Sequence, residues 1–189
     1  MVETPSLWAR ISSIYSDLEN KAAITRSKDY SLWVDYCDND RKSEEDRATF
    51  IDYASQEAYR WQSVEFAVTR ANTLALLHNF VSLSVPRLEK LKIDCPKLGV
   101  GIDWAGGIDI FGGRVDRLLH LDLQFFHIPC SSQLLSQLET LKISMSNGWL
   151  DPISSSEFID ILRRCPGLRE FDLQYSGEEG IRISGAIPS

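Results

Sequence analysis

Apolar residues recur along this chain in one short phrase. Four segments, PRLEKLKID, DRLLHLDLQ, SQLETLKIS and PGLREFDLQ, share the order L-x-x-L-x-L. They run through Leu88, Leu91 and Ile93; Leu118, Leu121 and Leu123; Leu138, Leu141 and Ile143; Leu168, Phe171 and Leu173. RWQSVEF is a looser fifth copy through Trp61, Val64 and Phe66. In each copy the last two apolar positions alternate with a polar one, the period of a strand with one buried face. YSLWVDY repeats that alternation in Leu32, Val34 and Tyr36, and GIRISGAIPS in Ile181 and Ile183, so each predicts one more strand, the second at an edge.

Helical spacing lies between these strands. SEEDRATFIDYASQEAYRW places Phe50, Ala54, Ala58 and Trp61 on one stripe, and NTLALLHNFVSL does so with Leu76, Leu77, Phe80 and Val81. SSSEFIDILRRCPG is the clearest. Ser154 and Glu157 fit a capping box, Phe158, Ile161, Leu162 and Cys165 form the apolar stripe, and Pro166 with Gly167 stops the helix. Successive first anchors stand 27, 30, 20 and 30 residues apart. These periods bracket the roughly 20 to 29 residues of a leucine-rich repeat. The 20-residue interval between Leu118 and Leu138 has room only for a turn of helix or an irregular arc.

One such strand cannot bury its face alone, but several stacked in parallel make a continuous core. The expected fold is therefore α/β: an irregular leucine-rich-repeat-like solenoid of parallel strands with helical or irregular crossovers. Irregularity follows from one position. Where such repeats carry Asn or Cys at the bend, this chain has Thr69, Pro96, Phe126, Ser146 and Ser176.

Composition narrows the class. At 189 residues and 43% hydrophobic, the chain can bury the core of one domain. A net charge of −7 argues against nucleic acid or an anionic membrane as partner, since both need a basic face. No basic stretch leads into an apolar run at the start, so no signal peptide is read there. The longest apolar stretch, LALLHNFVSLSV, is too short to span a bilayer and contains His78 and Asn79. Cys37, Cys95, Cys130 and Cys165 are too sparse for a disulfide framework or a zinc knuckle. Reduced thiols in an intracellular protein, cytoplasmic or nuclear, are expected.

Candidate chemistry is thin. His78, His120 and His127 share no metal-ligand spacing. CDNDRKSEED gathers carboxylates, but Arg41 and Lys42 interrupt it and no glycine sits where a calcium loop needs one, so it reads as a solvated loop entering an acidic helix start. GVGIDWAGGIDIFGG fits neither glycine-rich phosphate motif and reads as a loop with a short hairpin or an irregular crossover. No serine is framed as G-x-S-x-G. A non-enzyme is expected, with no catalytic residue, cofactor or metal.

The polar positions between the strand leucines are the better candidates, because they face solvent on the inner side of such a stack. The central row reads Glu65, Lys92, Asp122, Lys142, Asp172. Its flanking rows are Ser63, Lys90, His120, Thr140, Glu170 and Ala67, Asp94, Gln124, Ser144, Gln174. Signs alternate between neighbours about 4.8 Å apart. Two readings follow: a self-neutralising ladder that keeps the sheet soluble, or a polar docking surface for a protein segment centred on Glu65, Lys92, His120, Asp122, Lys142 and Asp172.

TPSLWARI, AITRSKDYSLWVDY, YRWQSVEF, PRLEKLKI and LRRCPGLREFDL, in that order, resemble the large F-box and leucine-rich-repeat family of mushroom-type fungi. There an F-box ends in a tPsLW..I phrase, followed by RS before a strand, then RW, then repeats of the form P.Le.L.l. The resemblance implies the substrate-recognition part of an F-box subunit of a cullin-type ubiquitin ligase, its repeats holding an unknown target protein. Residues 1–29 are then the F-box exit and N-terminal cap, with Leu7 and Trp8 packing on the first strand, and 30–189 the repeat domain. The chain carries only the exit phrase, Thr4 to Ile11, so a Skp-type adaptor is a partner only if an F-box precedes it. The alternative is a stand-alone binding module without a ligase link.

Overall fold

The computed structural model describes residues 4–38, 42–68, 80–95, 110–113, 115–126, 128–129, 131–146, 155–176 and 181–186. Eight strands form one sheet in strict chain order. They are β1 (Arg10–Ser12), β2 (Leu32–Cys37), β3 (Trp61–Ala67), β4 (Lys90–Asp94), β5 (His120–Gln124), β6 (Thr140–Ser146), β7 (Glu170–Ser176) and β8 (Ile181–Ala186). Every pairing from β1 to β7 is parallel, and β8 returns antiparallel along β7. That last pairing corrects the expectation of parallel strands throughout. Only four residues separate β7 from β8, enough for a hairpin and too few for a parallel crossover.

Strands β2 to β6 bury alternate residues on one side of the sheet. Leu32, Val34 and Tyr36, then Val64 and Phe66, Leu91 and Ile93, Leu121 and Leu123, and Leu141 and Ile143 are all buried. The leading anchors Leu88, Leu118, Leu138 and Leu168 are buried too. Withdrawing a residue of this kind from water contributes about 1.5–3 kcal/mol, so the repeated phrase supplies the core. Crossovers cover that side. α1 (Asp17–Ser27), α2 (Glu44–Gln56) and α3 (Ser155–Arg164) are the α-helices among the described residues, and 3-10 turns at Ala58–Arg60, Ile110–Gly113 and Gln133–Leu135 complete the cover.

Aromatic rings fill the middle. Phe66 stacks on Phe80 with centroids 5.1 Å apart, and Trp61 meets Phe80 edge-on at 5.8 Å. Trp61 also donates its indole N–H to the Ala54 carbonyl at 3.1 Å. Trp61 is thus the first residue of β3 and not the end of the α2 stripe, which stops at Gln56. Beside these rings Gly112 takes a left-handed φ of +53°, and a Cβ there would lie 2.9 Å from the Val81 carbonyl, so only glycine fits without a shift.

In α3 the expected stripe holds: Ile161 and Cys165 are buried, Phe158 and Leu162 pack on the core, and the helix ends at Arg164 before the Pro166–Gly167 turn. The capping pair Ser154 and Glu157, residues 72–79 of the helix expected over 72–83, most of the GVGIDWAGGIDIFGG segment, and His78, His127, Cys130, Thr69 and Pro96 lie outside the described residues and side chains, while 80–83 form a turn that buries Phe80. Among its described residues, the short Leu118–Leu138 interval carries the 3-10 turn Gln133–Leu135, in keeping with its length.

At the β1 end, buried polar groups replace apolar ones. The Ser16 and Glu19 capping box starts α1, and the helix turns Asn20, Ala23 and Ser27 inward. The Asn20 amide receives the Ser12 N–H and donates to the Ser12 carbonyl, both at 2.9 Å. A side-chain amide thereby takes the place of a neighbouring strand. Arg60, only 1% exposed, locks the other end of α1. Its guanidinium donates to Glu57 Oε2 at 2.7 Å, Ser27 Oγ at 3.0 Å, and the carbonyls of Ile24, Lys28 and Tyr30.

Candidate functional site

Because the leucines point to one side, the intervening positions share the other, and the strand register aligns them. Ser63, Lys90, His120, Thr140 and Glu170 are successive partners. So are Glu65, Lys92, Asp122, Lys142 and Asp172, and so are Ala67, Asp94, Gln124, Ser144 and Gln174. The three rows expected from the repeat are therefore in register. The candidate residues Glu65, Lys92, His120, Asp122, Lys142 and Asp172 share one face, with His120 in the first row and the other five in the central one.

The rows also extend further than the repeats. β2 adds Trp33, Asp35 and Cys37 beside Ser63, Glu65 and Ala67, and β1 adds Arg10 and Ser12 beside Trp33 and Asp35. β8 adds Arg182 next to Gln174. Trp33 is 54% exposed, an unusual state for a tryptophan on a polar sheet face. The alternation in SLWVDY carried the signal, since turning Leu32, Val34 and Tyr36 inward leaves Trp33 and Asp35 outward.

Charge on this face is partly self-paired. Lys92 donates to Glu65, which raises the Lys92 pKa above its ordinary value. Arg10 donates to Asp35 across the first pairing, and its own pKa rises through that hydrogen bond. Arg182 grips both oxygens of Asp172 at 2.9 and 3.3 Å, holding that carboxyl below the usual range. Gln124 donates to Asp122 at 3.3 Å. Asp94 differs: burial raises its pKa, and its Oδ1 has no hydrogen-bond partner among the described residues.

At the centre of the face is a shallow depression of ≈ 350 Å³. It is lined by Val64, Leu91 and Leu121, whose side chains are buried, and by the outward residues Ser63, Glu65, Lys90, Lys92, His120, Asp122, Thr140 and Lys142. Asp172 stands outside it, paired with Arg182.

Leu7 and Trp8 are placed otherwise than expected. Leu7 is 79% exposed and Trp8 39%, and the 3-10 turn Pro5–Trp8 buries no residue. Leu7 is therefore largely in solvent and Trp8 only partly covered. Trp8 instead carries the Arg26 guanidinium of α1 on its ring, 4.3 Å from the centroid. Ile11, three residues on, is the side chain that β1 sends into the core.

Burial pushes the Cys95 thiol up to about 12 and Cys165 up to about 11, so neither supplies thiolate near neutrality. Among the described residues, no group of three His, Cys, Asp or Glu side chains could hold a metal ion, and no helix is long and apolar enough to cross a membrane. No family model matches the chain, and neither the curated proteins nor the solved structures include a match to it.

Proposed function

We propose that the sheet is the binding side of an irregular leucine-rich-repeat-like solenoid, and that the chain is a protein-interaction module holding a polypeptide segment across its strands. The observation that carries this reading is the polar face itself. Rows of outward side chains run in register over six parallel pairings, with a depression at their middle and the whole apolar core behind them. A face this continuous offers a partner many shallow polar contacts, the form in which repeat proteins recognise extended surfaces.

The resemblance of the ordered phrases supports a more specific form, the substrate-recognition part of an F-box subunit of a cullin-type ubiquitin ligase acting inside the cell. The outward Leu7, with Ile14 and Leu18 also exposed, favours it, since apolar surface at the β1 end suits contact with another body. A stand-alone binding module is the second reading. Size-exclusion chromatography of the chain with a purified Skp-type adaptor separates them: co-elution supports the ligase form, and separate elution leaves the stand-alone module.

The docking role is tested by reversing Lys92→Glu together with Lys142→Glu. The expected result is loss of partner capture together with a lowered thermal midpoint, because residues 65, 92, 122, 142 and 172 would then all be acidic in one row. Capture and stability both unchanged would overturn the docking face.

A further inference from the structure

Within the depression, the internal pairs leave an uneven remainder. Lys92 is engaged by Glu65, while Lys90 and Lys142, both exposed, have no ion-pair partner among the described residues. Around the rim three lysines face two carboxylates, Glu65 and Asp122, and Asp122 already accepts from Gln124. The depression is thus locally positive in a chain whose net charge is −7. An acidic residue of a partner would find there two exposed lysines, Lys90 and Lys142, that no ion pair among the described residues engages, although Lys142 stands between Asp122 and Asp172 in its row.

Trp33 supplies the second element. It lies in the same row as Lys90, with only Ser63 between them. Two strand spacings separate the two backbones, about 9.6 Å. A polyproline-II segment crossing the strands turns its side chains back to the same side every three residues, after about 9.3 Å. Such a segment can lay an apolar side chain on the Trp33 ring and, three residues away, set a carboxylate against Lys90. A regular β-strand matches less well, because its same-side positions recur every two residues, about 6.6 Å apart. The small Ser63 side chain leaves the path between the two contacts open.

We infer that the occupant of this face is an extended, polyproline-II-like polypeptide segment with an apolar residue and an acidic residue three positions apart, read by Trp33 and by Lys90 with Lys142. This rests on the reading of the polar face as a docking surface and adds the chemistry of what docks. Exposed tryptophan and the desolvated charge contact are the kinds of group that dominate binding energy at small interfaces.

The test is selection of a phage-displayed random 12-residue peptide library on the full chain, followed by affinity measurement of the recovered peptides by titration. The expected result is enrichment of apolar-x-x-Asp/Glu. Trp33→Ala and Lys90→Glu should each weaken binding about tenfold or more, the loss expected for an anchor contact. Lys21→Glu on the exposed side of α1 serves as the control and should leave binding unchanged. Exchanging the peptide's acidic residue for lysine should restore binding to the Lys90→Glu variant. Both substituted side chains are exposed, and circular dichroism with a thermal midpoint confirms that each variant folds.

Peptides that are lost on sheet-face substitution but are basic, or lack the three-residue spacing, would overturn the chemistry and leave the docking face standing. Peptides that bind equally well to the Trp33→Ala, Lys90→Glu and Lys142→Glu variants would overturn both, as would a selection that recovers nothing above background.

Discussion

At the β1 end the Ser12 backbone is closed off by the buried Asn20 amide and α1 is tied down by the buried Arg60, whereas along β8 Arg182, Ile183, Ser184 and Gly185 all stand in solvent. Both ends face the same problem, since a sheet edge presents unpaired N–H and C=O groups. The β1 end answers it with polar side chains withdrawn from water and fully hydrogen-bonded. The β8 end adds a hairpin strand and an exposed ion pair, Arg182 with Asp172. A buried polar group is costly when its partner is removed, while an exposed pair is close to neutral. The two ends should therefore respond to substitution very differently, although each holds one edge of the same sheet.

The largest effect is expected from Arg60→Met. It keeps much of the side-chain volume but strips the carbonyls of Ile24, Lys28 and Tyr30 of their shared donor and leaves Glu57 unpaired. Breaking a buried charged network of this kind costs roughly 3–5 kcal/mol, to be read from urea denaturation. Asn20→Ala comes next. It orphans the Ser12 N–H, at about 1–3 kcal/mol for a buried group left unsatisfied, while the Ser12 carbonyl keeps the Tyr15 N–H at 3.1 Å. Amide exchange at Ser12 should accelerate in that variant more than exchange at β5. A loss under about 0.5 kcal/mol would mean that water reaches this edge freely, and the contrast between the ends would fail.

The β1 end was also the least legible part of the sequence. β1 has a single core residue, Ile11, in three positions, too short for an alternation to register. α1 buries Asn20, Ala23 and Ser27, so it has no apolar stripe to find. Its readable mark was the SDLE capping box at Ser16 and Glu19, the same signal that Ser43 and Asp46 give at the start of α2. The L-x-x-L-x-L strands were legible because period two and burial on one side are the same fact. From them the register of the three polar rows followed directly. The outward Trp33 was implied by the same alternation yet not recognised as part of the site. Leu7 and Trp8 show the converse: bulky apolar residues look like core in a sequence, and only the fold reveals that Arg26 is what covers Trp8.

At the β8 end Arg182→Ala should cost less than about 1 kcal/mol at neutral pH, as exposed ion pairs do. Its signature lies in the pH profile. Arg182 holds the Asp172 carboxyl below the ordinary range, so the pair's contribution is present above the usual carboxylate pKa and is lost as pH falls through the lowered value. The variant and the parent should converge in strongly acidic solution, which thermal melts across that range would show.

The smallest effect, and one of opposite sign, is expected at Asp94 in the middle of the face. Burial raises its folded pKa, so the folded state binds the proton more tightly than the unfolded chain, and stability falls as pH rises through that window. Asp94→Asn should then raise the thermal midpoint slightly at neutral pH and change nothing well below the ordinary carboxylate pKa. A lowered midpoint at neutral pH would mean that the Asp94 carboxylate is held by partners that stabilise its charge.

The account's central claim is that the polar face of the sheet is where a partner binds. Amide chemical shifts of the full chain, recorded with and without the tightest peptide from the library selection, test it most directly. The predicted result is that perturbations concentrate on β2 to β6, strongest near Trp33, Ser63, Lys90 and His120, with α2 and α3 on the opposite side unaffected. Perturbations confined to α2, α3 or the Pro5–Trp8 turn would contradict it.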